Sequence, residues 1–245
     1  MKKKINTNSN TYILVYSAVL VVVVAFLLAF IYQSLKAMQD ANVALDKKKQ
    51  ILAALNIRNL SDDEAKQTYA EVIDADRIIN EKGNVIVQGE KGGEQAAFKL
   101  KSSDAKEGKL ALYICTVNGQ TKYVIPVYGM GLWGSIWGYV AVDDDLNTVF
   151  GAYFDHESET AGLGAEIKDS KQWQDQFKGK HLFQSGSDEV KLQVLKKSDV
   201  SDPTTQCDAV TGATLTSDGV SLMLTTSLSR YRAFLKQNNN VKEAQ

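Results

Sequence analysis

Residues 110–128 read LALYICTVNGQTKYVIPVY. The runs 110–117 and 121–128 are rich in β-branched and aromatic residues, and they meet at Asn118-Gly119. That dipeptide tolerates the positive φ angles of a tight hairpin turn, so the stretch predicts two antiparallel strands. Residues 135–142 and 148–154 repeat the arrangement around Asp143-Asp144-Asp145. Shorter strands are expected at 83–89 (GNVIVQG, between glycines) and at 190–195. Helical patterns flank these strands. An imperfect apolar stripe covers 35–57, and Ser61-Asp62-Asp63-Glu64 has the capping-box pattern of a helix running through about Ile79. A further helix is expected at 165–177. The last begins near Thr216 and carries Val220, Met223, Leu224, Leu228, Tyr231 and Leu235 at helical spacing. Hairpins with helices beside them predict one α+β domain.

Composition narrows the function classes. The chain has 245 residues, with Lys+Arg 28 against Asp+Glu 29 and a net charge of -1. That balance lacks the basic excess of a nucleic-acid binder. Two cysteines without a CxxC spacing provide neither a disulfide scaffold nor the usual four ligands of an iron–sulfur cluster, and two histidines make a poor metal site. No G-x-G-x-x-G follows a strand into a helix, so no dinucleotide site is expected.

Residues 12–32, YILVYSAVLVVVVAFLLAFIY, contain no charge. As a helix they span roughly 30 Å, the thickness of a bilayer's hydrocarbon core. Tyr12, Tyr16 and Tyr32 lie near its ends, where amphipathic rings favour the membrane interface. A cleaved signal peptide has a shorter apolar region and a small-residue cleavage site, and Gln33-Ser34-Leu35-Lys36 is a poor one. An uncleaved anchor is the expectation. Lys2, Lys3 and Lys4 precede the span, which by the positive-inside rule keeps the N-terminus cytoplasmic and puts the remainder outside, in the periplasm of a Gram-negative cell. The organisation expected is therefore a cytoplasmic N-terminus (1–11), a transmembrane helix (12–32), a membrane-proximal helical region (33–80), an α+β domain (81–237) and a flexible tail (238–245).

The segment Asp208-Ala209-Val210-Thr211-Gly212-Ala213-Thr214-Leu215-Thr216-Ser217 is dominated by small residues and runs straight into the last helix. Free N–H groups and the positive end of that helix would favour a phosphate. Equally, Thr214, Thr216 or Ser217 is a suitable plain N-cap.

The pattern D-x-x-[S/T]-G-A-[S/T] in this segment resembles the flavinylation motif of membrane redox subunits. Gly129-Met130-Gly131-Leu132-Trp133-Gly134 is similar to a G-x-G-L-W segment of the same family, and Glu159-Thr160-Ala161-Gly162-Leu163-Gly164 to its E-T-P-G-L-G segment. With the single N-terminal span, the chain resembles over nearly its whole length the family of C subunits of Na+-translocating NADH:quinone oxidoreductases. The resemblance implies FMN joined through its phosphate to the hydroxyl of Thr214, attached by a separate Mg-dependent flavin transferase that uses FAD. It implies an electron carrier toward quinone, bound to the other subunits of an inner-membrane complex, with NADH bound elsewhere. Asp208 would serve the transferase reaction or hold the loop, with Thr211, Gly212 and Ala213 completing the motif. Leu132 and Trp133 would pack on or beside the flavin ring, and Glu159, Thr160, Gly162, Leu163 and Gly164 would form the opposing wall, the glycines permitting close approach. Ala161 departs from the family's Pro, so that turn loses a fixed φ angle.

Two other assignments stand beside this one. One is the equivalent flavoprotein subunit of an Rnf-type ferredoxin:NAD oxidoreductase. The other is an anchored periplasmic binding module with no cofactor. For Trp133 a core or membrane-facing position is the plain alternative, and for Glu159 a solvated surface. His156, between Asp155 and Glu157, reads as part of a loop in water. Asp143 to Asp145 reads as a tight turn, without the Gly and distal Glu of a calcium loop. Lys171, Trp173 and Lys180 form no recognised nucleic-acid module. Cys115 is expected in the core, and Cys207 is a candidate to pair with it in an oxidising compartment.

Overall fold

The computed structural model describes residues 7–101, 103–104 and 107–237. The chain divides into two compact units, Met1–Asp46 and Lys47–Gln245. Lys2 to Lys4 and the tail 238–245, on which the orientation and the flexible end are argued, lie outside the described residues.

A single helix, α1 (Asn10–Ala54), replaces the two helices expected at 12–32 and 35–57. It is long and apolar enough near the N-terminus to cross a membrane. No proline or glycine interrupts residues 10–54, so nothing in the sequence stops the helix at the end of the apolar run. In the first unit the large apolar residues from Ile13 to Tyr32 are exposed, and the rings of Tyr12 and Tyr16 stack 6.1 Å apart.

The second unit begins at Lys47 rather than at residue 81. Ile51, Leu52 and Leu55 are buried there, and Asn56 Nδ2 donates to the Phe150 carbonyl (2.9 Å). Next comes α2 (Asp62–Val72), where Glu64 reaches back to accept from the Ser61 N–H at 2.9 Å. The helix expected through Ile79 stops at Val72, and β1 (Ile73–Asn80) takes over. Its β-branched residues Ile73, Ile78 and Ile79 are buried in the sheet, a better use of them than a solvated helix. Asp76 of this strand is fully buried, and its carboxylate accepts from the N–H groups of Ala96 (2.8 Å) and Phe98 (3.1 Å), fixing the loop beyond β2 (Val85–Val87).

The strands β3 (Lys109–Val117), β4 (Gln120–Met130), β5 (Ser135–Val142) and β6 (Val149–His156) follow as two hairpins. They merge with the first two strands into one antiparallel sheet of order β2-β1-β3-β4-β5-β6. Asn118 (φ 51°) and Gly119 (φ 76°) make the predicted turn. Asp145 closes the second turn, accepting from Asn147 N–H (2.9 Å) and Thr148 N–H (2.8 Å).

The single helix expected at 165–177 is two short pieces, α3 (Glu166–Asp169) and α4 (Lys171–Asp175). Ser170 between them is extended (ψ 96°), and its hydroxyl caps α4 by accepting from Trp173 N–H at 3.2 Å. A small parallel pair, β7 (Gln193–Leu195) and β8 (Gln206–Asp208), lies outside the antiparallel sheet. The helices α5 (Thr214–Arg230) and α6 (Arg232–Leu235) end the described chain. Val220, Met223, Leu224 and Leu228 of α5 share one core with Leu112 of β3, Ile125 and Val127 of β4 and Val140 of β5. The long helix thus lies on the sheet, with its N-terminus near the β4–β5 turn. The fold is α+β, as the sequence predicts.

Candidate functional site

The loop from β8 to α5 is held from both sides. Asp208 N–H donates to Gln176 Oε1 (3.0 Å), and the Asp208 carbonyl accepts from Trp173 Nε1 (2.8 Å). Val210 N–H donates to Ser217 Oγ (3.1 Å), and Ala213 N–H to the Val210 carbonyl (3.1 Å). Gly212 has φ 80°, a conformation that only glycine adopts cheaply, and an added Cβ there would stand 3.0 Å from Leu163 Cδ2.

This geometry answers the capping question. Ala213 occupies the N-cap position of α5, and no side chain caps the helix. Ser217 Oγ serves Val210, Thr216 Oγ1 donates to Glu159 Oε2 (2.6 Å), and the Thr214 hydroxyl makes no hydrogen bond among the described residues. The backbone bond Ser217 N–H to Ala213 carbonyl (3.0 Å) opens the helical ladder. The N–H groups of Thr214, Leu215 and Thr216 are thus the first-turn donors that a helix leaves for an anion.

Glu159 organises the surrounding wall. It is buried; Oε1 accepts from Trp133 N–H (2.9 Å), Oε2 accepts from Thr216 Oγ1, and its own N–H donates to His156 Nδ1 (3.1 Å). One carboxylate therefore ties the β4–β5 turn, the segment after β6 and the first turn of α5. A solvated Glu159 is excluded. A Cβ on Gly131 would come within 2.4 Å of Glu159 Oε1, and one on Gly164 within 2.4 Å of Oε2. Gly131 and Gly164 thus clear space for the carboxylate, whereas the resemblance implies that Gly162 and Gly164 admit a flavin. The turn at Ala161 forms without proline, with Leu163 N–H donating to the Thr160 carbonyl at 3.1 Å.

Nine of the predicted residues line one cavity of about 210 Å³: Leu132, Trp133, Glu159, Thr160, Leu163, Gly164, Gly212, Ala213 and Thr214. Leu215 and Thr216 complete it. From the sequence Thr216 is a candidate cap only and Leu215 carries no signal, although both adjoin Thr214. The remaining three, Gly162, Asp208 and Thr211, line a neighbouring polar cavity of about 640 Å³ with Glu166, Gln176 and Lys197. The motif is thus divided, its hydroxyl on one side and its acid on the other. Trp133 is not a core residue but 66% exposed, and Leu215 is 60% exposed, so the smaller cavity has an open apolar rim.

Nearby groups are structural. His156 ends β6, and its neighbour Asp155 is buried, pairing with Lys168 Nζ at 2.8 Å and accepting from Gln50 Nε2 at 3.2 Å. The expected loop in water is therefore an ordered strand end. Cys115 and Cys207 are both free and buried, so the candidate pairing does not form. Burial pushes the Cys207 thiol up to about 12, with Lys180 opposing and Asp208 adding to the shift, so it stays protonated beside the motif. No cluster among the described residues is arranged to hold a metal ion.

Residues 131–229 match the family model described as an FMN-binding domain, a span that starts at the β4–β5 turn and contains both cavities. The C subunit of the Na(+)-translocating NADH-quinone reductase of Haemophilus ducreyi is 33% identical over 233 residues, covering 89% of each chain. The crystal structure of the equivalent subunit from Parabacteroides distasonis superposes with TM-score 0.74 at 38% identity, covering 83% of this chain and 98% of that one. The NqrC structure of Shewanella oneidensis, at 23% identity and TM-score 0.66, shares the fold over 81% of this chain and 99% of its own. With the three motifs meeting around the start of α5, the chain belongs to the family of C subunits of the Na+-translocating NADH-quinone reductase.

Proposed function

We propose that the chain carries FMN as a phosphoester on Thr214 and serves as an electron carrier toward quinone within a Na+-translocating NADH:quinone oxidoreductase. One observation carries the reading: Thr214 presents an exposed hydroxyl with no partner among the described residues at the uncapped N-terminus of α5, inside the cavity where the three motifs converge. FMN, when bound, supplies reversible one- and two-electron redox chemistry. The chain's own residues supply the rest. The Thr214 oxygen would hold the phosphorus, and the first-turn N–H groups of α5 would donate toward the phosphate charge. A cavity of about 210 Å³ is smaller than one that encloses a cofactor, so a flavin ring would lie partly outside it, against the exposed faces of Trp133, Leu132 and Leu215. Glu159 holds that wall to α5 and is a positioning residue. Asp208 lines the other cavity, away from Thr214, where it would serve the transferase reaction or hold the loop.

A flavin transferase would attach the group, with the Thr214 oxygen as the nucleophile toward the FMN phosphorus of FAD, AMP as the leaving group and the hydroxyl proton passing to a base. The helix α1 anchors the chain in the inner membrane through residues 12–32, with the N-terminus cytoplasmic and the α+β domain periplasmic. NADH binds elsewhere in the complex. The test is the intact mass of the denatured full chain, produced with and without a transferase. A gain of one FMN less one water, only when the transferase is present, is expected. An unchanged mass with an active transferase would overturn the proposal.

A further inference from the structure

At the opposite end of α5 the sheet itself opens. β3 and β4 pair only from Tyr113↔Val124 to Val117↔Gln120. Before Tyr113, β3 stays with β1 as far as Asn80↔Lys109, while β4 beyond Val124 stays with β5 as far as Met130↔Ser135. The two strands diverge, and between them lies a cavity of about 300 Å³, about 20 Å along α5 from Thr214.

The split is built rather than accidental. Ser227 Oγ of α5 accepts from Tyr128 N–H (3.2 Å) and donates to the Tyr128 carbonyl (3.3 Å), replacing the missing ladder partner on β4. By the two-residue period of a strand, Pro126 turns the same edge toward the split, and it has no N–H to leave unpaired. On β3 the Ala111 carbonyl accepts from the Tyr231 hydroxyl at 2.8 Å. These strand groups are satisfied without closing the sheet, so the cavity keeps apolar walls that include Leu110, Tyr113 and Pro126.

Charge favours one class of ligand. Lys47, Lys101, Lys109 and Arg230 line the cavity, and no carboxylate among the described residues does. Lys109 and Arg230 pair with Glu107 (2.9 Å) and Glu81 (2.8 Å), neither of which lines it. Lys47 Nζ donates to the Phe98 carbonyl (2.5 Å), and burial, only partly opposed by the Asp76 carboxylate, draws its ammonium down to about 8, a desolvated cation that a further anion would stabilise. An apolar body with a cationic rim is complementary to an amphiphile with an anionic head.

We propose that the cleft between β3 and β4 binds one amphiphilic anion, its apolar chain in the split and its carboxylate or phosphate head at Lys47 and Lys109. This site is separate from the flavin cavity and does not depend on that reading. The test uses the full chain in nanodiscs of zwitterionic lipid, with equilibrium dialysis of labelled octanoate, octyl phosphate and octanol against empty nanodiscs. Saturable binding of one octanoate or one octyl phosphate per chain is expected, with octanol at least tenfold weaker. The anion that binds tighter identifies the head as carboxylate or phosphate. Replacing both Lys47→Gln and Lys109→Gln should weaken anion binding at least tenfold, and Thr226→Trp, on the exposed face of α5 at the cavity, should abolish it. The Trp variant keeps the test decisive if the lysine variant does not fold. Binding no greater than in empty nanodiscs, equal binding of octanol, or binding unchanged by Thr226→Trp would overturn the proposal.

Discussion

The two ends of α5 put their hydroxyl residues to different uses. At the C-terminal end, Ser227 and Tyr231 are engaged with strand groups that the split between β3 and β4 leaves without ladder partners. At the N-terminal end, Thr216 and Ser217 are also engaged, with Glu159 and Val210, yet Thr214 is not and the helix is uncapped. Buried polar groups are nearly always satisfied in folded proteins, so hydroxyls that satisfy them are structural. The Thr214 hydroxyl, exposed at a helix N-terminus beside two engaged neighbours, is the group that the proposed flavin attachment requires.

That contrast can be broken by substitution. The largest effect is expected at Thr214. Thr214→Val should abolish covalent flavin altogether, read as fluorescence of the denatured band, while changing the stability measured in urea by less than about 0.5 kcal/mol, since no hydrogen bond is lost. Flavin surviving in that variant would end the contrast. Next is Glu159→Ala, which strips the Thr216 hydroxyl and the Trp133 N–H of a charged acceptor and should cost about 2–3 kcal/mol in chemical denaturation. Tyr231→Phe should cost about 1–2 kcal/mol by orphaning the Ala111 carbonyl, with flavin loading unchanged. Gly212→Ala forces a Cβ onto a positive φ and against Leu163, an expected loss of about 1–2 kcal/mol together with slower flavin loading. The smallest effect concerns Cys207. Its folded thiol value, about 12, lies above the ordinary 9.0, so the stability from keeping it neutral is complete below pH 9 and is lost as pH rises toward 12. Cys207→Ala should flatten that alkaline decline, and an identical slope would refute the burial argument.

Much of the molecule is legible in its residues. Asn118-Gly119 locates the central hairpin because its turn demands positive φ angles, and the uncharged run at 12–32 locates the membrane-length helix. The motif residues are legible as types, and nine of them share a cavity. What stays hidden depends on tertiary packing. Ile73 to Asn80 reads as the end of a helix because a short apolar segment beside a helical one has no distinct period, and its pairing with β3 decides it. The break at Ser170 is masked by helix-compatible residues on both sides. Glu159 reads as either surface or pocket, because nothing local says that Gly131 and Gly164 make room for it. The division of Asp208 from Thr214 into separate cavities cannot be read from a contiguous motif, since it arises from where Trp173, Gln176 and Leu163 pack against the loop.

The central claim is most directly tested by locating the flavin on the chain. Digestion after Lys197 and Arg230 releases residues 198–230 as one peptide, which carries Thr211, Thr214 and Thr216 together. Fragmentation of that peptide from protein matured with a transferase should put the mass of FMN less water on Thr214 alone. The same mass on Thr211 or Thr216, or a peptide with no added mass, would contradict the account.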